Sequence, residues 1–395
     1  MLGACTLALS TARGAEPAGP GLALRSSDAS RADPARDVRV TTLLGQQANA
    51  LRRVTGTQMS HLRGRLQALR GGDAACRSAQ PVPRIPERSD ARRRTSVAVE
   101  RDGIAVAGSG FALPLSTCRR GADATAWSAG SLEIGSAPDV QGGSGVRFRS
   151  PGLTLGADRR LAAPLRVGVA IGLARERDGE AIGDAGADSA DGLLAAAYAS
   201  YHPNRSLFVD ATGGYGSLQL PAARQLWNGV GGSGERRGTT WFASVAAGYR
   251  LALAGTEWSP YTRFDALGAR LLAYADPAGP EALRFQHQDV PAANAALGIE
   301  GSSRLRTAFG QIVPRGRLEL RREIERAGNA AIAYVDDATS YVLDAAATAR
   351  TAMTLELGFA WTMTRAWAVD AGFSRDVASD ARSSRFDMRV SWPLR

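Results

Sequence analysis

Few side chains in this sequence have the type and spacing that bond chemistry requires. The three histidines, His61, His202 and His287, stand far apart, and none has a partner at metal-ligand spacing. A Ser–His–Asp hydrolase or an acidic membrane protease needs a convergent cluster, and none assembles from these positions. Asp336–Asp337 and the acidic patch at Asp184–Asp191 lie in expected outer loops, where solvated charge is the simpler account. No catalytic set, metal or cofactor is therefore expected. Cys76 and Cys118 bracket an expected hairpin, "TSVAVERDGIAVAG" and "GFALPL", with Asp102–Gly103 at its turn. In an exported protein that arrangement suggests one disulfide; the alternative is two free thiols.

The remaining chemistry is charge, and its spacing is regular. Arg166, Asp210, Arg250, Glu356, Asp370, Asp387 and Arg389 each stand between apolar neighbours, at alternate positions of strand-like runs. In "PLRVGVAIGL", Leu165, Val167, Val169, Ile171 and Leu173 take one face, and Arg166 with small residues takes the other. In "AMTLELGFAWTM", Leu355, Leu357, Phe359 and Trp361 oppose Thr354, Glu356, Gly358 and Ala360. Trp367 opens the next such run, "AWAVDAGFS". Period two with one polar or small face means that one side meets apolar material and the other does not. Leu355, Leu357, Phe359, Trp361, Trp367 and Phe386 are expected to face lipid, and the seven charged residues a wet interior.

Composition fits that reading. The 395 residues carry 48 basic side chains, all arginine, and a formal charge of +10. The arginines are dispersed, whereas a nucleic-acid surface would cluster them; no nucleic-acid partner is expected. No apolar run approaches the ~20 residues of a membrane helix. A mean hydropathy of −0.16 still allows a transmembrane barrel, whose apolar residues hide at alternate positions.

Four segments follow. Residues 1–40 read as a signal-peptide remnant, "MLGACTLALSTARGAEP", and a linker rich in Ala, Gly, Pro and Ser. The "LGAC" box at Cys5 lacks the apolar segment that lipidation needs. Residues 41–71 read as a helix, with Leu51, Thr55, Leu62, Leu66 and Leu69 on one stripe and Arg52, Arg53, Arg63, Arg65 and Arg70 around the rest. Residues 72–122 form the cysteine-bracketed segment. Residues 123–395 read as twelve strands, near 124–135, 145–160, 164–176, 190–202, 205–218, 238–252, 259–274, 286–301, 308–323, 350–363, 366–376 and 384–394. Links after even-numbered strands are short and those after odd-numbered ones mostly longer, the construction of an outer-membrane barrel. The fold class is all-β membrane: a twelve-stranded antiparallel barrel.

From Trp127 to Arg395 the chain resembles the translocator (β-barrel) domain of monomeric autotransporters, the type V secretion proteins. The likeness runs through "SPGLTLGADRRLAAPLRVGVAIGLA", "GLLAAAYASYHPNRSLFVDATGGYG", "WFASVAAGYRLALAGTEWSPYTRFDAL", with its Pro260–Tyr261 step, and "AALGIEG" followed by "GQIVPRGRLELRREI". The resemblance implies an outer-membrane protein that anchors and exports its own N-terminal passenger, with helix 41–71 threading the lumen. Its arginines would then meet carboxylates such as Glu356, Asp370 and Asp387. It implies that the terminal strand, through Phe386, Met388, Val390, Trp392 and Leu394, is an assembly signal for the barrel-assembly machinery. The final residue, Arg395, departs from the family's usual aromatic. Some members cut their passenger at a helix asparagine; Asn49 is the helix's only one, and reads better as a polar helix residue. Fewer than about forty residues precede the helix, so most of a passenger would lie upstream. The chain is expected to act as a monomer. A stand-alone porin-like barrel and an outer-membrane barrel hydrolase are the alternatives.

Overall fold

Strands with one lipid-type face leave backbone donors and acceptors that only a closed ring can satisfy. The computed structural model describes residues 33–70, 124–137, 146–178, 189–222, 224–225, 231–232, 234–276, 282–307, 310–325, 328–345, 350–363, 367–378 and 381–391. Twelve long strands form that ring. They are β1 (Ala124–Ala137), β2 (Val146–Ala162), β3 (Leu165–Asp178), β4 (Ser189–Tyr201), β5 (Leu207–Pro221) and β6 (Glu235–Tyr249). The second half is β7 (Thr256–Leu271), β8 (Gln288–Ser303), β9 (Gly310–Glu325), β10 (Thr351–Met363), β11 (Trp367–Ala378) and β12 (Arg382–Ser391). Each pairs antiparallel with the next, and β12 returns to β1 over Gly130↔Met388 to Ser136↔Arg382. No helix is long and apolar enough to cross a membrane among the described residues.

The links set the orientation. The short links that join β2 to β3, β4 to β5, β6 to β7, β8 to β9 and β10 to β11 fall at one rim; the longer ones that follow β1, β3, β5, β7 and β9 fall at the other. Short turns mark the periplasmic rim and long loops the outer one. The last outer link, 379–381, is short, and Ala378 N–H donates to Ala381 O across it at 2.9 Å. Strand ends differ from the sequence expectation where side pairing intervenes. Leu251–Leu253 folds onto Thr256–Trp258 as a separate hairpin, with Ala254 (φ 50°) and Gly255 (φ 78°) at its turn. Positive φ at both turn residues gives the twist that two-residue hairpins need. Strand β6 therefore ends at Tyr249 rather than near 252.

Helix α1 (Val38–Arg70) starts three residues before the expected 41. Asp37 explains the earlier start: its carboxylate accepts the Arg39 N–H at 2.9 Å, an N-cap. At the outer rim, Val40, Leu43 and Leu44 pack on Leu283, Phe285, Ala330 and Ile332. Those wall residues belong to a small sheet of Tyr274–Ala275, Leu283–Phe285, Gly328–Tyr334 and Ser340–Ala345. The sheet lies in the loops after β7 and β9 and was not expected from the sequence.

Candidate functional site

Inside the ring, helix α1 leans on one wall, chiefly β2 to β6. The stripe of Leu51, Val54, Leu62, Leu66 and Leu69 is buried there with Ala170, Ala174, Ala190 and Leu194. The wall comes close to the helix where inward positions are small; a Cβ on Gly172 would collide with the Gln58 amide. Polar contacts then run the length of the helix. Near the outer rim, the Gln47 amide donates to Pro221 O at 2.8 Å, and Arg236 donates to Gln47 Oε1 at 3.2 Å. Arg53 pairs with Glu176 and stacks over Phe148, 4.1 Å from the ring centre. At mid-depth His61 meets Thr154 Oγ1 at 2.6 Å and Ser131 Oγ at 2.7 Å. Lower down, Arg65 donates to Asp158 at 2.7 Å. At the periplasmic end Arg70 donates to Asp210 at 2.5 Å and Glu300 at 3.2 Å, lying over Phe208.

These partners differ from those expected for the helix arginines. Asp158, Glu176, Asp210, Asp265 and Glu300 receive them, with Arg63 on Asp265 at 3.2 Å. Glu356 and Asp370 instead pair with wall arginines: Arg317 reaches Glu356 at 2.5 Å, and Arg315 grips Asp370. They stand across a cavity of about 300 Å³ that separates α1 from β9 to β12. Asp387, Asn49 and Gly56 line the same cavity, and Arg389 crosses to Gly64 O at 3.1 Å. Arg166 pairs with Asp158 at 3.3 Å, and Arg250 donates to Arg70 O at 2.6 Å.

Outside, Leu355, Leu357, Phe359 and Phe386 are exposed, Leu357 by 57%, and Met388 stands beside them. Trp361 is half-buried; Trp367 and Val390 are placed by backbone pairing, Trp367 with Met363 and Val390 with Val369. Cys76, Cys118, Trp392 and Leu394 lie outside the described residues. Asp191 belongs to β4, not to a loop, and pairs with Arg175. Asp337 caps its own turn through Thr339.

Sequence reasoning missed the inward aromatics. Trp127 is 2% exposed and donates to the Tyr198 hydroxyl at 2.5 Å, which donates to Asp158 at 3.0 Å. The available signal was glycine across the ladder: Tyr198 lies over Gly168, where any Cβ would collide with its ring. Ser200, His202 and Asp210 do meet near the periplasmic rim. Their order is wrong for a triad: Ser200 Oγ donates to Asp210 at 2.5 Å and sits 3.3 Å from His202, so the carboxylate does not orient the imidazole. Burial, aided by Arg250 and opposed by Asp210, lowers the His202 pKa from its usual value.

A closed antiparallel barrel with a helix in its lumen defines a conduit held in the outer membrane. The autotransporter β-domain model matches residues 126–374, and the chain belongs to that family. It is an outer-membrane translocator unit, the part of an autotransporter that serves a passenger. Solved structures of low identity share the fold. The translocator domain of autotransporter NalP from Neisseria meningitidis superposes with a TM-score of 0.55 at 11% identity, over 68% of this chain and 88% of that one. The β-domain of the Bordetella autotransporter Brka gives 0.51 at 15% identity, over 68% and 98%. No curated protein matches the chain significantly.

Proposed function

We propose that α1 is the trailing end of the exported segment, parked in the conduit that serves it, and that the domain anchors and exports without bond chemistry of its own. The observation that carries this is the series of contacts between α1 and one wall, from Gln47 at the outer rim to Arg70 at the periplasmic one. A structural helix would need only the apolar stripe. The ion pairs are buried between α1 and the wall, where they fix the position of the helix more than they add stability. In this reading one copy suffices, because the conduit lies within a single chain. The barrel-assembly machinery reads the terminal strand through Phe386, Met388, Val390, Trp392 and Leu394.

An epitope tag placed before Asp33, behind a signal peptide, tests the reading. In intact cells the tag should be cut by added protease, and removing the barrel should leave it protected in the periplasm. A tag that stays protected with the barrel inserted rules out export.

Helix α1 ends at the rim where β1 begins, so the segment between them is periplasmic in this reading. One Cys76–Cys118 bridge should then appear by non-reducing mass spectrometry. It would close a loop of about 40 residues, worth ~4 kcal/mol in the chain-entropy account. Two free thiols in protein taken from the outer membrane would dismiss the bridge and leave the export reading intact.

A further inference from the structure

Near the periplasmic edge of the apolar belt, Tyr201, Tyr249 and Trp258 are exposed. Such amphipathic rings suit a lipid–water boundary. Toward the outer rim three nearby strands carry outward arginines. On β3 the exposed Val169, Ile171 and Leu173 give way to Arg175 and Arg177, both exposed. On β2 the same change runs from Leu155 to Arg149, and on β11 the exposed Arg375 stands between Phe373 and Val377.

The register gathers these charges. Arg149 is the direct cross-strand partner of Arg177; on its other side it faces Ile134, which faces Ser384, which faces Arg375. One row therefore crosses five adjacent strands. Asp191 neutralises Arg175 at 2.5 Å. Among the described residues no carboxylate pairs with Arg149, Arg177 or Arg375. Like charges directly opposite on one sheet face repel and weaken the pairing. Two guanidinium groups whose Cβ atoms are about 5 Å apart can instead share one phosphate, each through its planar fork. Basic clusters at a lipid–water boundary recognise anionic headgroups in this way. The outer leaflet of a Gram-negative outer membrane is made of phosphorylated glycolipid.

We propose that the outer margin of β11, β12, β1, β2 and β3 is a docking surface for that glycolipid. One phosphate sits between Arg149 and Arg177, and acyl chains lie along Leu155, Ile171 and Leu173. The bound lipid supplies the counter-charge the row lacks and fixes the depth of the barrel at its outer edge.

Native mass spectrometry of the full chain, refolded in neutral detergent, tests this with bisphosphorylated lipid A and its dephosphorylated form as probes. Wild-type protein should retain the phosphorylated lipid preferentially. Arg149→Ser with Arg177→Ser should weaken retention on the order of thirtyfold, and Arg149→Ser alone on the order of fivefold. Arg159→Ser with Arg306→Ser removes the same charge from exposed positions at the inner margin and should change little. Equal retention of the two lipids by wild-type protein overturns the proposal without any variant having to fold. Equal losses in the two double variants overturn it as well, since that pattern is net-charge attraction.

Discussion

Leu357→Arg is expected to lower the stability of the inserted barrel by roughly 2–4 kcal/mol if the residue lies at the bilayer midplane. Leu357 sits midway along β10, is among the more exposed apolar side chains, and has Gly316 and Phe373 as cross-strand neighbours. Neither neighbour offers a hydrogen-bond partner to a guanidinium. From mid-strand the new side chain must reach across hydrocarbon to the headgroups or draw water inward. Glu356→Gln, one residue away, is expected to cost within about 1 kcal/mol. Glu356 points to the other side of the sheet, where it pairs with Arg317 at 2.5 Å beside the cavity. Water in that cavity can take over from the lost charge, and the amide oxygen still accepts a hydrogen bond. Urea-dependent folding into lipid vesicles, followed by heat-modifiable gel mobility, measures both. Equal losses would mean that the two faces meet similar surroundings, and the assignment of lipid and lumen would fall.

What could be read in advance follows from which constraints are local. Strand positions in β3, β10 and β12 were legible because the apolar period is two and a slip by one residue would turn every side chain over. The helix was legible from Leu51, Leu62, Leu66 and Leu69, and its early start was missed because Asp37 was not recognised as a cap. The wall against which the helix rests was not foreseen, although a signal existed. Toward the outer half, several inward positions on β3 and β4 are small, Ala170, Gly172, Ala174, Ala190 and Gly192, while those on β9 are Arg315, Arg317, Glu319, Arg321 and Glu323. A helix packs where its leucines find small neighbours and leaves the bulky charged wall to water. Tyr198 was unforeseen because its inward position depends on Gly168 in a different strand. The rim sheet was missed for another reason. "AIAYVDDATSYVL" holds two short alternating runs around a turn, but its apolar face is completed only by Val40, Leu43 and Leu44 of the helix, far away in sequence.

Deleting residues 38–70 should leave a folded barrel whose ion conductance in planar bilayers rises several-fold. The barrel does not need α1 for closure, since β12 pairs with β1, where Arg385 also pairs with Glu133, and β8 pairs with β9, all without the helix. The magnitude follows from volumes. A helix ~10 Å across, over a ~30 Å hydrocarbon core, displaces about 2,400 Å³. With α1 in place the open space beside it is confined to the cavity between α1 and β9 to β12. Removing the helix therefore enlarges the water-filled cross-section far more than side-chain motion could. Asp158, Glu176, Asp210 and Asp265 lose their helix arginines in the variant. They are then bathed in water rather than left dry, so the large penalty of an unpaired buried charge does not arise. The folded fraction, read by heat-modifiable mobility, should stay close to that of the intact chain. Conductance that stays unchanged in a folded variant would mean that α1 does not occupy the lumen in the membrane, and the proposal that it is parked in the conduit would fall.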